Sequence, residues 1–255
     1  MSYDIQKADI WKRASAFLLD LILVVIAAVG FIFLLSYVTG INNRYDEYQT
    51  VMDRYEAEYG VDFDKVSDMD AYEKLSEAEK TLIDEAFAAF AKDDEANRLY
   101  NVIIQLIIMN ISLGILFAFV LLEFVLPLIF KNGQTVGKKV FGIAVMRLDG
   151  VKINSQILFI RSILGKYTVE TMIPLMMLAW IILGQAGIMG VVIIALVLIG
   201  NIVMMLATRT NSAIHDQLSQ TVTVDMASQL IFDSPEALLE YKQKIHAEAA
   251  ERAKY

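Results

Sequence analysis

The sequence predicts an all-α membrane protein: four transmembrane helices, an extracytoplasmic helical hairpin and a small cytoplasmic β element. Three observations lead there. Of 255 residues, 56% are apolar, above the roughly 45–50% usual in soluble domains. Charged residues still make up 20%, so greasy and polar blocks are segregated along one chain. Finally, the runs 14–38, 102–130, 169–183 and 188–207 are predominantly apolar and carry no charges but Asp20, Glu123 and Glu170. A bilayer core about 30 Å thick takes about 20 helical residues. Three of the runs meet that length, and the third meets it by starting near Lys166. They are apolar all round rather than striped, which argues against core helices of a soluble domain. The first run exceeds the roughly 7–15 apolar residues of a cleavable signal and has no small-x-small site after it, so it reads as a retained anchor.

Loop charge orients the spans. The N-terminus carries Lys7, Lys12 and Arg13 against Asp4 and Asp9. Segment 39–100 holds seven basic and 17 acidic residues. Segment 131–168 holds Lys131, Lys138, Lys139, Arg147, Lys152, Arg161 and Lys166 against Asp149 alone. The positive-inside rule puts both termini and the basic segment in the cytoplasm, the acidic segment outside. The domain plan is therefore 1–40, N-terminus and first span; 41–100, acidic outer insertion; 101–130, second span; 131–166, basic loop; 167–208, third and fourth spans; 209–255, cytoplasmic tail.

In the outer insertion, 45–59 reads as a helix stopped by Gly60. A second helix follows, where Ser76 and Glu79 have capping-box spacing ahead of Leu82, Ile83, Phe87 and Phe90. Asp62, Asp64, Asp68, Asp70 and Glu73 imitate a calcium-loop spacing. However, Val66 stands at the fifth position and Ser67 where the turn needs glycine, so a solvated acidic turn is the better reading. In the basic loop Phe141, Ile143 and Val145 alternate, Asp149-Gly150 marks a turn, and Val151 and Ile153 follow; 221–224 alternates as well. These pieces predict the small sheet. An amphipathic stretch from Asn154 to Lys166 is expected at the membrane surface. Ser234, Pro235 and Glu236 open a solvated tail helix.

Function classes fall away quickly. There is no Cys, which excludes disulfides and thiolate chemistry, and only two His, at 215 and 246. A net charge of −8 argues against nucleic acid. The glycines of 133–138 lack both the spacing and the Ser or Thr of a phosphate loop. They suit a backbone turn at the surface, with Lys138 and Lys139 toward lipid phosphates. No hydrolase motif is present, so neither enzyme activity nor a cofactor is expected.

Intramembrane carboxylates are the informative residues, since each costs about 2.5–3.5 kcal/mol at mid-helix. Asp20 follows Arg13 by seven residues, on one stripe and about 10 Å deeper. Glu123 precedes the inner end of its helix by the same seven, and Glu170 enters the third span. The three share the inner half of the membrane, under a basic lid of Lys138, Lys139, Arg161 and Lys166. Asp20 reads either as an ion site or as a structural pair with Arg161 or Lys166. On the second span Asn101, Gln105, Ser112 and Glu123 fall on one face, with Asn110 opposite. That face reads as a polar file to Glu123 or as interhelical glue.

The blocks around Lys12-Arg13 and Asp20, Gly133-Gln134-Thr135-Val136-Gly137-Lys138, Arg161, and His215-Asp216 followed by 221–224 resemble, in that order, the RDD family of membrane proteins. That family is named for an arginine and two aspartates. The resemblance puts those roles on Arg13, Asp20 and Asp216, and the outer insertion and tail helix look like additions. Cation–proton exchange has been proposed for some members. The resemblance therefore implies a small transporter exchanging monovalent cations for protons, in a bacterial cell membrane. The other reading is a scaffold or assembly factor in which Arg13, Asp20 and Asp216 are structural. Expected partners are the lipid bilayer, a second copy of the chain, and a protein at the outer hairpin or tail helix. A third reading has the basic lid recognise lipid headgroups.

Overall fold

The structure is a computed structural model that describes residues 5–67, 72–130 and 132–252. Asp4, Lys131, Asp68 and Asp70 of the expectations above lie outside them. The chain divides into two units, one of Val29–Gly114 and one of Met1–Ala28 with Ile115–Tyr255.

Three helices are long and apolar enough to cross a membrane: α1 (Ile10–Thr39), α5 (Asp94–Phe130) and α9 (Gly187–Ala207). The third expected span is built differently. A short helix, α7 (Ser155–Phe159), runs without a break into a π-helical segment, Ile160–Met172, and then α8 (Ile173–Ile182). The stretch expected to lie as a separate surface helix is thus the start of this rod. The reason is local: Asn154 caps α7 by accepting from the Ile157 amide at 2.8 Å, and no proline follows until Pro174.

In the first unit, α2 (Ile41–Tyr59) begins after Gly40 and ends at Gly60, both left-handed, at φ 63° and 65°. A left-handed residue ends a helix, and glycine adopts it without a Cβ clash. After α3 (Asp64–Ser67) comes α4 (Glu77–Phe90), with the expected capping box between Ser76 and Glu79. Asp93 then starts α5: its carboxylate accepts from the Ala96 amide at 2.8 Å, the Tyr55 hydroxyl at 2.9 Å and Arg54 at 3.1 Å. Val51, Phe63, Ala86, Phe90, Ala96 and Leu99 form the core. Phe63 meets Phe87 edge-on with centroids 5.5 Å apart. The insertion is thus a small helical domain with an aromatic centre.

In the second unit, α6 (Val136–Val140) leads to β1 (Ile143–Arg147), which pairs antiparallel with β2 (Thr221–Asp225), Val145 opposite Thr223. Short bridges extend the sheet on both sides, Lys7 with Val224 and Lys152 with Met146. Ala144, Met146, Val222 and Val224 are its core, and Ile143 packs with Ala8 and Ala16, so the sheet meets the start of α1. Helix α10 (Ile214–Leu218) precedes β2, and α11 (Pro235–Arg252) closes the described chain.

Candidate functional site: a buried acid–base cluster

Asp20 does not pair with Arg161 or Lys166. It caps α6 instead. Its Oδ1 accepts from the Gly137 amide at 2.7 Å, and its Oδ2 accepts from the Thr135 hydroxyl. Thr135 is itself the N-cap of α6 and accepts from the Lys138 amide. Gly137 is needed for contact rather than for backbone freedom: a Cβ there would lie 2.3 Å from the Ala16 carbonyl oxygen and 2.9 Å from the Asp20 carboxyl carbon. The glycine-rich block therefore lays α6 directly on α1.

The arginine expected to serve Asp20 serves Asp216. Arg161 donates to Asp216 Oδ1 and to the Thr221 hydroxyl. Arg13 donates to Asp216 Oδ2 at 3.2 Å and to the Asn211 carbonyl at 2.5 Å. Asp216 also accepts from the Ala213 amide at 3.1 Å, capping α10. Its side chain is 0% exposed. Burial opposes its charge, yet Arg161, His215 and Arg13 outweigh burial and hold the carboxyl well below the usual aspartate range.

Glu123 is met by Lys166 at 2.5 Å. It sits in a π-helical segment of α5, Val120–Val125, just before Pro127. Proline has no amide hydrogen, so the Glu123 carbonyl loses its ordinary helical donor four residues on. The Ser162 hydroxyl donates to it at 2.6 Å. Glu170 likewise lies in a π-helical segment, four residues before Pro174. It accepts from the His215 amide at 2.9 Å, and His215 Nδ1 faces both its oxygens at 2.9 Å. Gly165 makes room, since a Cβ there would lie 2.6 Å from that of His215. Burial pulls the His215 pKa down, Arg161 adds to this, and Asp216 and Glu170 oppose it.

The expected lid is not a solvent-facing surface. Lys138 and Arg161 are buried, and Lys166 is nearly so, because each reaches into the cluster rather than out of it. Only Lys139 is exposed, with its ammonium 4.0 Å from the Phe130 ring centre. The polar file on α5 is also revised. Asn101 and Ser112 donate to carbonyls of their own helix, whereas Asn110, expected to face away, is buried and donates to Thr39 at 3.1 Å. In a bilayer a buried amide finds its best partner on the neighbouring helix. Among the described residues no His, Cys, Asp or Glu group is arranged to hold a metal.

Membrane-length apolar helices with ion pairs buried beside a small sheet define a multi-pass membrane protein with a buried polar cluster. The family model of the RDD family matches residues 7–220, and the chain belongs to that family. No curated protein and no solved structure matches it. Of the three residues that the resemblance assigns to the family motif, Arg13 and Asp216 meet each other and Asp20 stands apart on Thr135 and Gly137. His215 and Ser162 were missed as members of the cluster. The signal for Ser162 was the Glu-x-x-x-Pro spacing at Glu123–Pro127, which frees a backbone carbonyl.

Proposed function

We propose that this chain is a small transporter that exchanges monovalent cations for protons, with Asp20, Glu123 and Glu170 as its ion-binding oxygens. The observation that carries the reading is Glu123, 5% exposed within an apolar helix and paired with Lys166 at 2.5 Å. A carboxylate at that depth is costly unless neutralised, and it can be neutralised by a proton, a lysine or a metal cation. The π-helical segment around it supports the reading, because such bulges cluster at functional sites. The protein sits in a bacterial cell membrane with both termini cytoplasmic, and it works as a homodimer, since four spans are few for one alternating-access unit.

The test is proton movement in proteoliposomes holding a pH dye, under imposed sodium, potassium or lithium gradients. Wild type should move protons with the cation. Glu123→Gln and Asp20→Asn should be silent while still eluting as folded protein. A folded wild type that moves no protons would end the exchange reading.

A second reading is favoured by the Arg13–Asp216–Arg161 group, whose carboxylate is fully enclosed and fully bonded. Here the cluster only fastens the cytoplasmic sheet to the membrane helices, and the outer domain or tail helix engages a protein. Silent liposomes, together with loss of fold in Asp216→Asn, would support it.

A further inference from the structure

Lys138 is the buried titratable group that the pairings above leave over. It is buried on α6, and its ammonium donates to the Thr135 hydroxyl at 3.2 Å. Among the described residues no carboxylate lies within 4.0 Å of it. A buried ammonium with a single neutral acceptor is poorly compensated, because it has three donors and a large desolvation cost. The charges that act on it come from three other elements: Asp20 on α1, Glu123 on α5, and Arg161 and Lys166 on the π-helical segment. Burial drives its pKa down to about 8, with Lys166 and Arg161 adding to the shift and Glu123 and Asp20 opposing it.

The wider cluster gives this position its meaning. Asp20, Glu123, Glu170 and Asp216 are four acids, and Arg13, Arg161, Lys166 and Lys138 are four bases. With His215 neutral, the named cluster is uncharged while Lys138 holds its proton. Without that proton it is short by one positive charge. Arg13, Arg161 and Lys166 are tied directly to carboxylates. Lys138 alone of the four is tied to a hydroxyl with no carboxylate beside it among the described residues.

We propose that Lys138 is the proton carrier of this exchanger, and that a monovalent cation binds near Asp20 and Glu123 only when Lys138 is a neutral amine. The inference rests on the exchange reading above. The step balances: the ammonium gives its proton to water, one cation enters, and the cluster stays neutral. The exchange is therefore one proton for one cation. Lys138 is a coupling residue: the exchanged proton is its own.

The experiment is binding of radiolabelled sodium, repeated with rubidium, to the purified full chain as pH is varied. Wild-type binding should be full above about pH 8 and fall about tenfold per pH unit below it. Lys138→Met, which keeps the length and removes the charge, should bind at acid and alkaline pH alike. Lys138→Arg, which keeps its proton, should elute as folded protein and bind at no pH. If Lys138→Met keeps the wild-type pH dependence, the Lys138 assignment is wrong and the exchange reading stands. If wild type and Lys138→Met both bind nothing at any pH, both fall. Should Lys138→Met fail to fold, Lys138→Arg decides alone, because wild-type binding by it overturns the assignment.

Discussion

Arg13 and Asp216 are 203 positions apart in the chain and 3.2 Å apart in the structure. Their contact closes the N-terminal end of α1 onto α10. Asp216→Asn would leave Arg13 and Arg161 buried without their counter-ion. Removing one partner of a buried pair costs about 3–5 kcal/mol. Denaturation in detergent should show a loss of that size, and Arg13→Ala a smaller one, since Arg161 still serves Asp216. Because the folded carboxyl titrates below the ordinary aspartate range, its contribution is present above that range and is lost as pH falls through it.

Gly137→Ala should be severe, because the added methyl meets the backbone carbonyl of Ala16, which has no rotamer to change. Overpacking of this kind costs about 1–3 kcal/mol or more. Gly30→Ala on α1, where a Cβ would meet nothing within 4 Å, should leave the melting temperature near wild type. Equal melting of the two variants would refute the contact of α6 with α1.

Ser162→Ala takes away the hydroxyl that serves the Glu123 carbonyl. A buried acceptor left unserved costs about 1–3 kcal/mol. Adding Pro127→Ala restores a backbone amide nearby, so the double variant should be more stable than Ser162→Ala alone. A double-mutant cycle in thermal melting reads this directly.

His215 titrates below its ordinary 6.5 because it is buried. The unfolded chain therefore takes up that proton more readily than the folded one, so stability is present above about 6.5 and falls as pH drops through the folded value. Melting curves of wild type should shift down in mild acid. His215→Asn, which keeps a donor toward Glu170 and has no proton to gain, should give a flatter profile over that range.

Much of the fold was legible in the sequence, and the reasons are local. Gly40 and Gly60 mark helix ends, Ser76 and Glu79 box a helix start, and 143–147 and 221–225 alternate as strands do. The site was legible only in part. Depth arguments grouped Asp20, Glu123 and Glu170, but they could not assign partners, since several bases were within reach of each acid. Arg161 went to Asp216, and the amide of Gly137 took Asp20, because a backbone donor leaves no trace in composition. Helical periodicity also slips wherever a turn widens. A wheel drawn through Glu123 assumes a regular helix and misses the bulge that Pro127 imposes.

The span between Arg13 and Asp216 also sets a timetable for biosynthesis. At about 5–20 residues per second, Asp216 leaves the ribosome roughly 10–40 s after Arg13. Asp20 meets its partners on Thr135 and Gly137 earlier, and Arg161 emerges while the Arg13 charge is still unanswered. A chain cut short before α10 therefore keeps two arginines and no acid to receive them. Translation past α10 is what supplies the acid, so the clasp separates chains that reach Asp216 from chains cut short before it.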